Sequence, residues 1–584
     1  MLTGTRIRRV KCDETKPSCR RCLSYWGYCE GYANPHGKSA APPMAPAPLL
    51  RLRNDRVVSV QQILRQSLMG PAFETLEEND YFKIFLNSTS CTLAGAFETP
   101  VWGYLLPQHA AHQPFIRYGV AAIGAMTATF TEVMAMRFAG HIIDDDNCLR
   151  FSNIYQKAIA LYAKFLQHMR IVLSKPNHSI RDALLGCLLV VCFEGFIGHY
   201  YNSAMHAQNG LEFFYTWLSH ERATRPQISQ YSSPNSAEVE DDIVAAMHRL
   251  DLQVLYFFDS RAARTHNTLA TQDAHILRSI PSAFRSLPQA RHFWDLICRR
   301  ICHFLAASMS STGSVSTALM LPGPTVPYPE TLDAPIGIKL FAQSGNVLTG
   351  HDAERAGYLA DIGAWDRASA PLVKQLLVAG GIQARGATIL LIHAKMIRIL
   401  LAGAFFESEM EYDSLLPEFQ CIYDLASSIW HSHVVPFDSG ISFDFEAGVL
   451  PPLFLVVTRS RDPNLRRQIV NLLSTSFHRE SYWDSCSLAY IARWIISMEE
   501  RGCAPPAERL RMSSLGGGQP AIRFPEVPSG PGNVTAARAV PEVRRIRIAR
   551  FNIELNMRKV QLEFTRGPVS EGEELVFEQD AVRW

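Results

Sequence analysis

The sequence predicts a mainly α-helical protein with a small cysteine-rich N-terminal head, a linker, a large all-helical body and a small C-terminal β element. Three observations carry that prediction. From about residue 58 to residue 502, apolar residues recur at three- and four-residue steps, the period of helices with one buried face. Residues 1–32 hold four cysteines and seven basic side chains but no hydrophobic core of their own. Beyond a Pro/Gly-rich break at 504–533, the segments Arg545 to Leu555 and Val560 to Phe564 alternate apolar and polar residues, the period of a half-buried strand.

In the head (residues 1–32), Cys12, Cys19, Cys22 and Cys29 are separated by six, two and six residues. Thiolates at such close, regular spacing hold zinc, and four of them satisfy one tetrahedral ion. A segment this small needs the metal to stay folded. Arg6, Arg8, Arg9, Lys11, Arg20 and Arg21 crowd around the cysteines. Basic side chains so placed neutralise phosphate, and arginine can donate two hydrogen bonds to guanine O6 and N7. Residues 33–57 follow as a Pro/Ala-rich basic linker, with Ala-Pro-Pro-Met-Ala-Pro-Ala-Pro at 41–48 and then Arg51, Arg53 and Arg56. Proline at this density favours extended backbone and excludes helix. No sustained heptad follows, so no coiled-coil dimerisation segment is predicted.

The body (residues 58–502) shows its clearest helix after Ser179, where Asp182 three residues on resembles a capping box. Ile180, Ala183, Leu184, Cys187, Leu188 and Val191 then form one apolar stripe. Similar stripes run through Ile154 to Met169, Asp242 to Phe258, Phe293 to Ala307, Ala387 to Phe405 and Cys486 to Met498. Trp483-Asp484 reads as a helix start with a buried aromatic. Polar breaks at 219–238 and 310–352 read as surface loops. The longest apolar run, Ala183 to Phe193, is too short to cross a membrane, and the run near Leu390 is broken by Lys395 and Arg398. The closing segment (residues 503–584) is expected to be loop plus a small β element, with Arg544, Arg545, Arg547 and Arg550 on the solvated face of a strand.

Charge is unevenly distributed. The 584-residue chain has a net charge of +2, yet residues 1–56 carry eleven Lys and Arg against four Asp and Glu. The head is therefore basic and the body mildly acidic, as expected if only the head meets a polyanion. The hydrophobic content of 47% excludes a disordered chain. No apolar signal-peptide region precedes the arginines, and the nine scattered body cysteines read as small buried hydrophobes in a reducing compartment. There is no Gly-x-Ser-x-Gly elbow and no His-Glu-x-x-His, so no enzyme is predicted.

The head resembles the DNA-binding segment of the fungal binuclear zinc-cluster (C6-type) transcription factors. In that family six cysteines hold two zinc ions, the first and fourth bridging both. Cys12, Cys19, Cys22 and Cys29 match the third to sixth cysteines, and Lys16-Pro17 matches the family's turn before the fourth. The first and second cysteines fall at Leu2 and Thr5. The match is continuous from Arg6 and fails abruptly before it, the pattern that an upstream exon encoding Cys-x-x-Cys would leave. The resemblance implies two zinc ions in a complete cluster, and one or none with the four thiolates present. It also implies a short helix at residues 6–11 that enters the major groove of a CGG triplet. Arg8 and Arg9 would read base edges, with Arg6, Lys11, Arg20 and Arg21 on phosphate.

The body resembles the fungal-specific transcription factor domain at Trp102-Gly-Tyr-Leu-Leu-Pro with Ile116 to Ala125, at Ala183 to Leu189 with Gly210-Leu211, and at Pro452 to Val457 with Arg461-Asp462, Arg466-Arg467 and Trp483-Asp484-Ser485. Together the two resemblances imply a nuclear, zinc-dependent, sequence-specific regulator of RNA polymerase II transcription. Its partners would be double-stranded DNA, a second subunit in a homo- or heterodimer, and the transcription machinery or a small-molecule effector, with no membrane. The alternative expectation is a truncated form that does not bind DNA and regulates through protein interaction.

Overall fold

A computed structural model describes residues 73–138, 152–225, 232–311, 348, 350–433, 442–501, 540–554, 558–566 and 578–583, apart from 98, 258 and 476. All belong to one unit of the chain, Val60–Trp584. Helix α1 (Leu76–Ile84) begins behind Thr75, whose hydroxyl accepts the Glu78 N–H at 3.2 Å. It packs on α2 (Pro114–Phe138), which lies along α3 (Asn153–Leu173). Gly124 sets the distance between α1 and α2, because a Cβ there would stand 2.1 Å from the Tyr81 carbonyl oxygen. That oxygen is backbone and cannot rotate aside. Gly124→Ala is therefore expected to cost about 3 kcal/mol, read as a lowered urea midpoint in far-UV circular dichroism.

Helix α4 (Ile180–Phe196) is almost wholly buried. Ser179 caps it, accepting from the Asp182 N–H at 3.3 Å, while the Asp182 carboxylate accepts from Gln113 Nε2 at 2.8 Å. The carboxylate predicted to close a capping box thus ties α4 to the start of α2 instead. Helix α5 (Tyr200–Thr224) crosses α4 at Gly210, where a Cβ would lie 2.1 Å from Cys187 Sγ. The glycine of the Gly210-Leu211 motif is there for close helix approach. Helix α5 also runs six residues into the predicted break at 219–238.

Next come α6 (Asp241–Phe257), α7 (Ala263–Thr271), α8 (Leu287–Ser311), α9 (Asp352–Ala379), α10 (Gly381–Gly403) and α11 (Leu416–His433). Two apolar clusters form the interior, one built mainly on α1–α5 and the other on α8–α14, with the last three helices given below. Helix α6 serves both, with Ile243, Met247 and Val254 in the first and Leu252, Leu255 and Tyr256 in the second. Helix α10 is long and apolar enough to cross a membrane, but 72% of its most apolar stretch is buried in the fold. Its charges leave through ion pairs, Lys395 with Glu418 at 2.6 Å and Arg398 with Asp366.

The body is not wholly helical. β1 (Ser442–Asp444) pairs in parallel with β2 (His478–Glu480), which pairs antiparallel with β3 (Trp483–Asp484). Strands of two or three residues are too short to show a period in sequence. They position Glu480, whose carboxylate accepts the N–H groups of Gly448, Val449 and Leu450 at 2.7, 2.9 and 2.8 Å. Those groups open α12 (Leu450–Arg459), so a buried anion sits on the N-terminus of a helix. Burial pushes the Glu480 carboxyl up, but His478 and these N–H groups outweigh it and hold it below the usual range. Helix α13 (Pro463–Leu473) follows, and α14 (Ser485–Glu500) starts at Asp484, whose side chain accepts the Ser487 N–H at 2.8 Å. Trp483 is buried beside it, as predicted.

The C-terminal β element is a three-stranded antiparallel sheet, β4 (Ile546–Glu554), β5 (Lys559–Arg566) and β6 (Glu578–Arg583), with an irregularity between Ile548 and Arg550. Ile546, Val560, Leu562 and Phe564 face the interior, and Phe564 meets Trp494 of α14 edge-on at 4.9 Å.

Candidate functional site

Every residue of the predicted head site lies outside the described residues: Cys12, Cys19, Cys22, Cys29, Arg6, Arg8, Arg9, Lys11, Arg20 and Arg21. The donor chemistry itself can be tested. Four thiolates suit one tetrahedral zinc, whereas two ions bridged in a six-cysteine arrangement need donors that Leu2 and Thr5 cannot supply. Elsewhere, among the described residues, no group of three or more His, Cys, Asp or Glu side chains is placed to hold a metal ion. Cys187, Cys192, Cys298 and Cys302 are free and buried, as expected of body cysteines, but Cys91 is exposed.

Among the ionic networks of the described residues, two bear on the sequence reading and were missed by it. In the first, Asp251 of α6 accepts from Arg261 at 2.6 Å, from Tyr215 at 2.5 Å and from His303 Nε2 at 2.9 Å. His303 Nδ1 lies 2.9 Å from His266 Nδ1, and Asp259 pairs with Arg261 at 2.6 Å. Arg299 and Arg222 meet Asp273 at 3.5 and 3.0 Å. An Asp–His–His–Tyr set resembles a proton relay on paper, but Asp251 and His303 are fully buried and each carboxylate is matched by arginine. These contacts tie α6, α7 and α8 together.

Their consequence is acid sensitivity. Burial pushes the His266 imidazole down to about 4 and lowers His303 as well. The His266 ring is neutral in the fold, while in the unfolded chain it binds a proton below about 6.5, and the lowered His303 acts in the same direction. Stability is therefore complete above that pH and falls as pH drops from about 6.5 towards 4. The slope approaches about 1.4 kcal/mol per pH unit for His266. Urea midpoints measured across that range check the slope, and His266→Gln is expected to flatten it.

The second network fastens the C-terminal sheet. Glu409 accepts from Arg459 at 2.6 Å and Arg461 at 3.0 Å. Glu499 pairs with Arg461 at 3.1 Å and Arg466 at 2.6 Å, and it accepts the Ile546 N–H at 2.7 Å. Arg545 grips Asp413 through two nitrogens at 2.9 and 2.7 Å, and Arg547 reaches Glu542 at 3.4 Å. This corrects the expected solvated strand face: Arg545 and Arg547 are 0% and 3% exposed, and Arg544 donates to the Arg501 carbonyl. The reason is that carboxylates of the helical body, Asp413 at Arg545 and Glu409 at Arg547, meet these arginines inside the fold. A usable signal existed, since Arg459, Arg461 and Arg466 follow directly on the apolar run of α12.

With that geometry given, comparison with known proteins identifies the head. Residues 6–39 match the fungal Zn(2)-Cys(6) binuclear cluster domain, so the chain carries a head of the fungal zinc-cluster family, and that domain binds zinc. Over 211 residues the chain is 28% identical to the aspercryptin biosynthesis cluster-specific transcription regulator atnN of Emericella nidulans, covering 35% of this chain and 33% of that one. Over 241 residues it is 22% identical to transcription regulator lscL of Purpureocillium lilacinum, covering 39% of this chain and 50% of that one. The matched regions thus span a third to half the length of these curated relatives. No solved structure matches the chain.

Proposed function

We propose that the chain is a nuclear, zinc-dependent, sequence-specific DNA-binding regulator of RNA polymerase II transcription that reads CGG-type sites. The match of residues 6–39 to the zinc-cluster domain, over four cysteines interleaved with basic residues, carries this reading. Cys12, Cys19, Cys22 and Cys29 hold the metal, and zinc supplies the cross-link that a core would otherwise provide. Arg8 and Arg9 donate to guanine edges, while Arg6, Lys11, Arg20 and Arg21 neutralise phosphate. Residues 1–32 are the head, 33–57 the linker, 58–502 a regulatory module of the fungal transcription factor type, and 503–584 loop with the β element. Homo- or heterodimer formation, contact with the transcription machinery and response to a small effector belong to the module, and no catalytic step is assigned to it.

Two substitutions in the full chain test the division of labour. Arg8→Ala is expected to reduce discrimination between CGG and altered triplets by about 1–3 kcal/mol, measured by competition with mutated duplexes. Lys11→Ala is expected to weaken binding to all sequences alike and to lower the salt-dependence slope by about one. Equal effects of both on specificity would overturn the assignment.

A second reading is favoured by the donor count. With Thr5 and Leu2 at the first two ligand positions, the chain lacks two thiolates of a two-zinc cluster. A full chain that retains no tightly bound zinc would be the protein-interaction regulator without DNA contact.

A further inference from the structure

Three large apolar side chains stand exposed together where α9 turns into α10: Leu377, Val378 and Ile382 are 45%, 85% and 43% exposed. Gly380 and Gly381 make the turn at φ of 73° and 75°, a region that favours glycine. A Cβ added at either would meet no atom within 4 Å, so no neighbouring element packs over the turn. Water around clustered apolar side chains is unfavourable, and such clusters mark surfaces that another molecule covers.

The outer face of α9 leads to this turn. Arg367, Pro371, Lys374 and Val378 recur at three- and four-residue steps, and all are exposed. Ala356, Ala360 and Ala370 share that face, and side chains so small let a second helix come close. Neither Arg367 nor Lys374 meets a carboxylate among the described residues, and neighbouring Asp366 is taken by Arg398. Exposed Arg285 borders the same helix, since the N–H of Phe284 donates to the Ala368 carbonyl at 2.9 Å. No Asp or Glu occurs from Arg367 to Phe406, although the body as a whole is mildly acidic. This end of α9 is therefore both apolar and locally basic.

We propose that the outer face of α9 and the turn into α10 dock an acidic amphipathic helix of a partner protein. Its apolar residues cover Leu377, Val378 and Ile382, and its carboxylates meet Arg367 and Lys374. Charge complementarity selects this occupant, because free cations beside an apolar patch favour carboxylates beside apolar anchors and repel a basic partner. Nucleic-acid phosphate would satisfy the same cations but leave the three apolar side chains without a counterpart. That the occupant regulates transcription rests on the regulatory reading of the body; the docking itself does not.

The test presents the full chain with a displayed library of random peptides of about 16 residues, roughly four helical turns. Sequences are kept that bind the full chain but not its Val378→Gln/Ile382→Gln variant. They are expected to combine Asp and Glu with Leu, Ile or Phe at three- and four-residue spacing. A synthetic copy of the most enriched sequence, followed by fluorescence anisotropy, is expected to bind Lys374→Glu about tenfold more weakly. Its affinity for the unaltered chain should also fall as salt rises. If the double variant fails to fold, the selection runs against Lys374→Glu alone, a change at an exposed position. No retained sequence, retained sequences without an excess of acidic residues, or binding unmoved by Lys374→Glu overturns the proposal. So does self-association of the full chain that Val378→Gln/Ile382→Gln abolishes in sedimentation velocity, which would make the occupant a second copy. Loss of affinity for a scrambled duplex in Lys374→Glu, with no peptide retained, would make it phosphate. The selection contains no DNA, so failure of the DNA-binding reading cannot be mistaken for failure of this one.

Discussion

Replacing Cys19 with serine is expected to strip tightly bound zinc from the full chain and to reduce affinity for CGG-containing DNA to the non-specific level, about 10³-fold or more. Cys19 is the thiolate that every arrangement of the head shares. In the proposed head it would be one of four donors to a single tetrahedral ion, and by resemblance it matches the cysteine that bridges both metals in the six-cysteine family pattern. Serine is close in shape but does not ionise at neutral pH, so the donor is lost while the chain is barely changed. Metal analysis after exhaustive dialysis and fluorescence anisotropy on a labelled duplex read the two effects together. Cys421→Ser, at a half-buried body position remote in sequence from the head, is the matched control and is expected to change neither.

Glu499→Ala is expected to be the most damaging single change in the body, costing about 3–5 kcal/mol. Its carboxylate faces Arg461 and Arg466 and accepts the Ile546 N–H that begins β4. Burial pushes that carboxyl up, but the two guanidinium groups outweigh it and keep it ionised. Removing it leaves positive charge buried without its partner, whereas the exposed pair Lys83–Asp80 is expected to contribute less than about 1 kcal/mol. Urea denaturation should therefore separate Glu499→Ala sharply from Lys83→Ala. Earlier proteolysis of the C-terminal sheet in Glu499→Ala would tie the loss to the network that fastens it.

The helical class was legible because burial on one face imposes a period that composition cannot hide. The stripes at Ile154 to Met169 and Cys486 to Met498 fall inside α3 and α14. The period-two segments after residue 544 became β4 and β5. Helix α9 went unannounced because Pro371 interrupts its pattern and its small residues blur the apolar stripe. The sheet of β1, β2 and β3 was hidden for a different reason, since strands of two or three residues show no period, and Glu480 gathers three N–H groups from a helix start thirty residues away in sequence. Arg545 and Arg547 show the same limit. A run of basic residues looks alike whether it faces phosphate or buried carboxylates, and only the position of Glu409, Asp413 and Glu499 decides. The head was legible from its four cysteines and interleaved basic residues together with their resemblance to the zinc-cluster family, as the match over residues 6–39 bears out at the level of the domain.

The most direct test of the central claim is equilibrium binding of the zinc-supplied full chain to a CGG-containing duplex and to a scrambled duplex at physiological salt. The account predicts a preference of about 10³-fold or more that disappears when a chelator removes the metal. Equal affinity for the two duplexes, or a preference indifferent to the chelator, would contradict it.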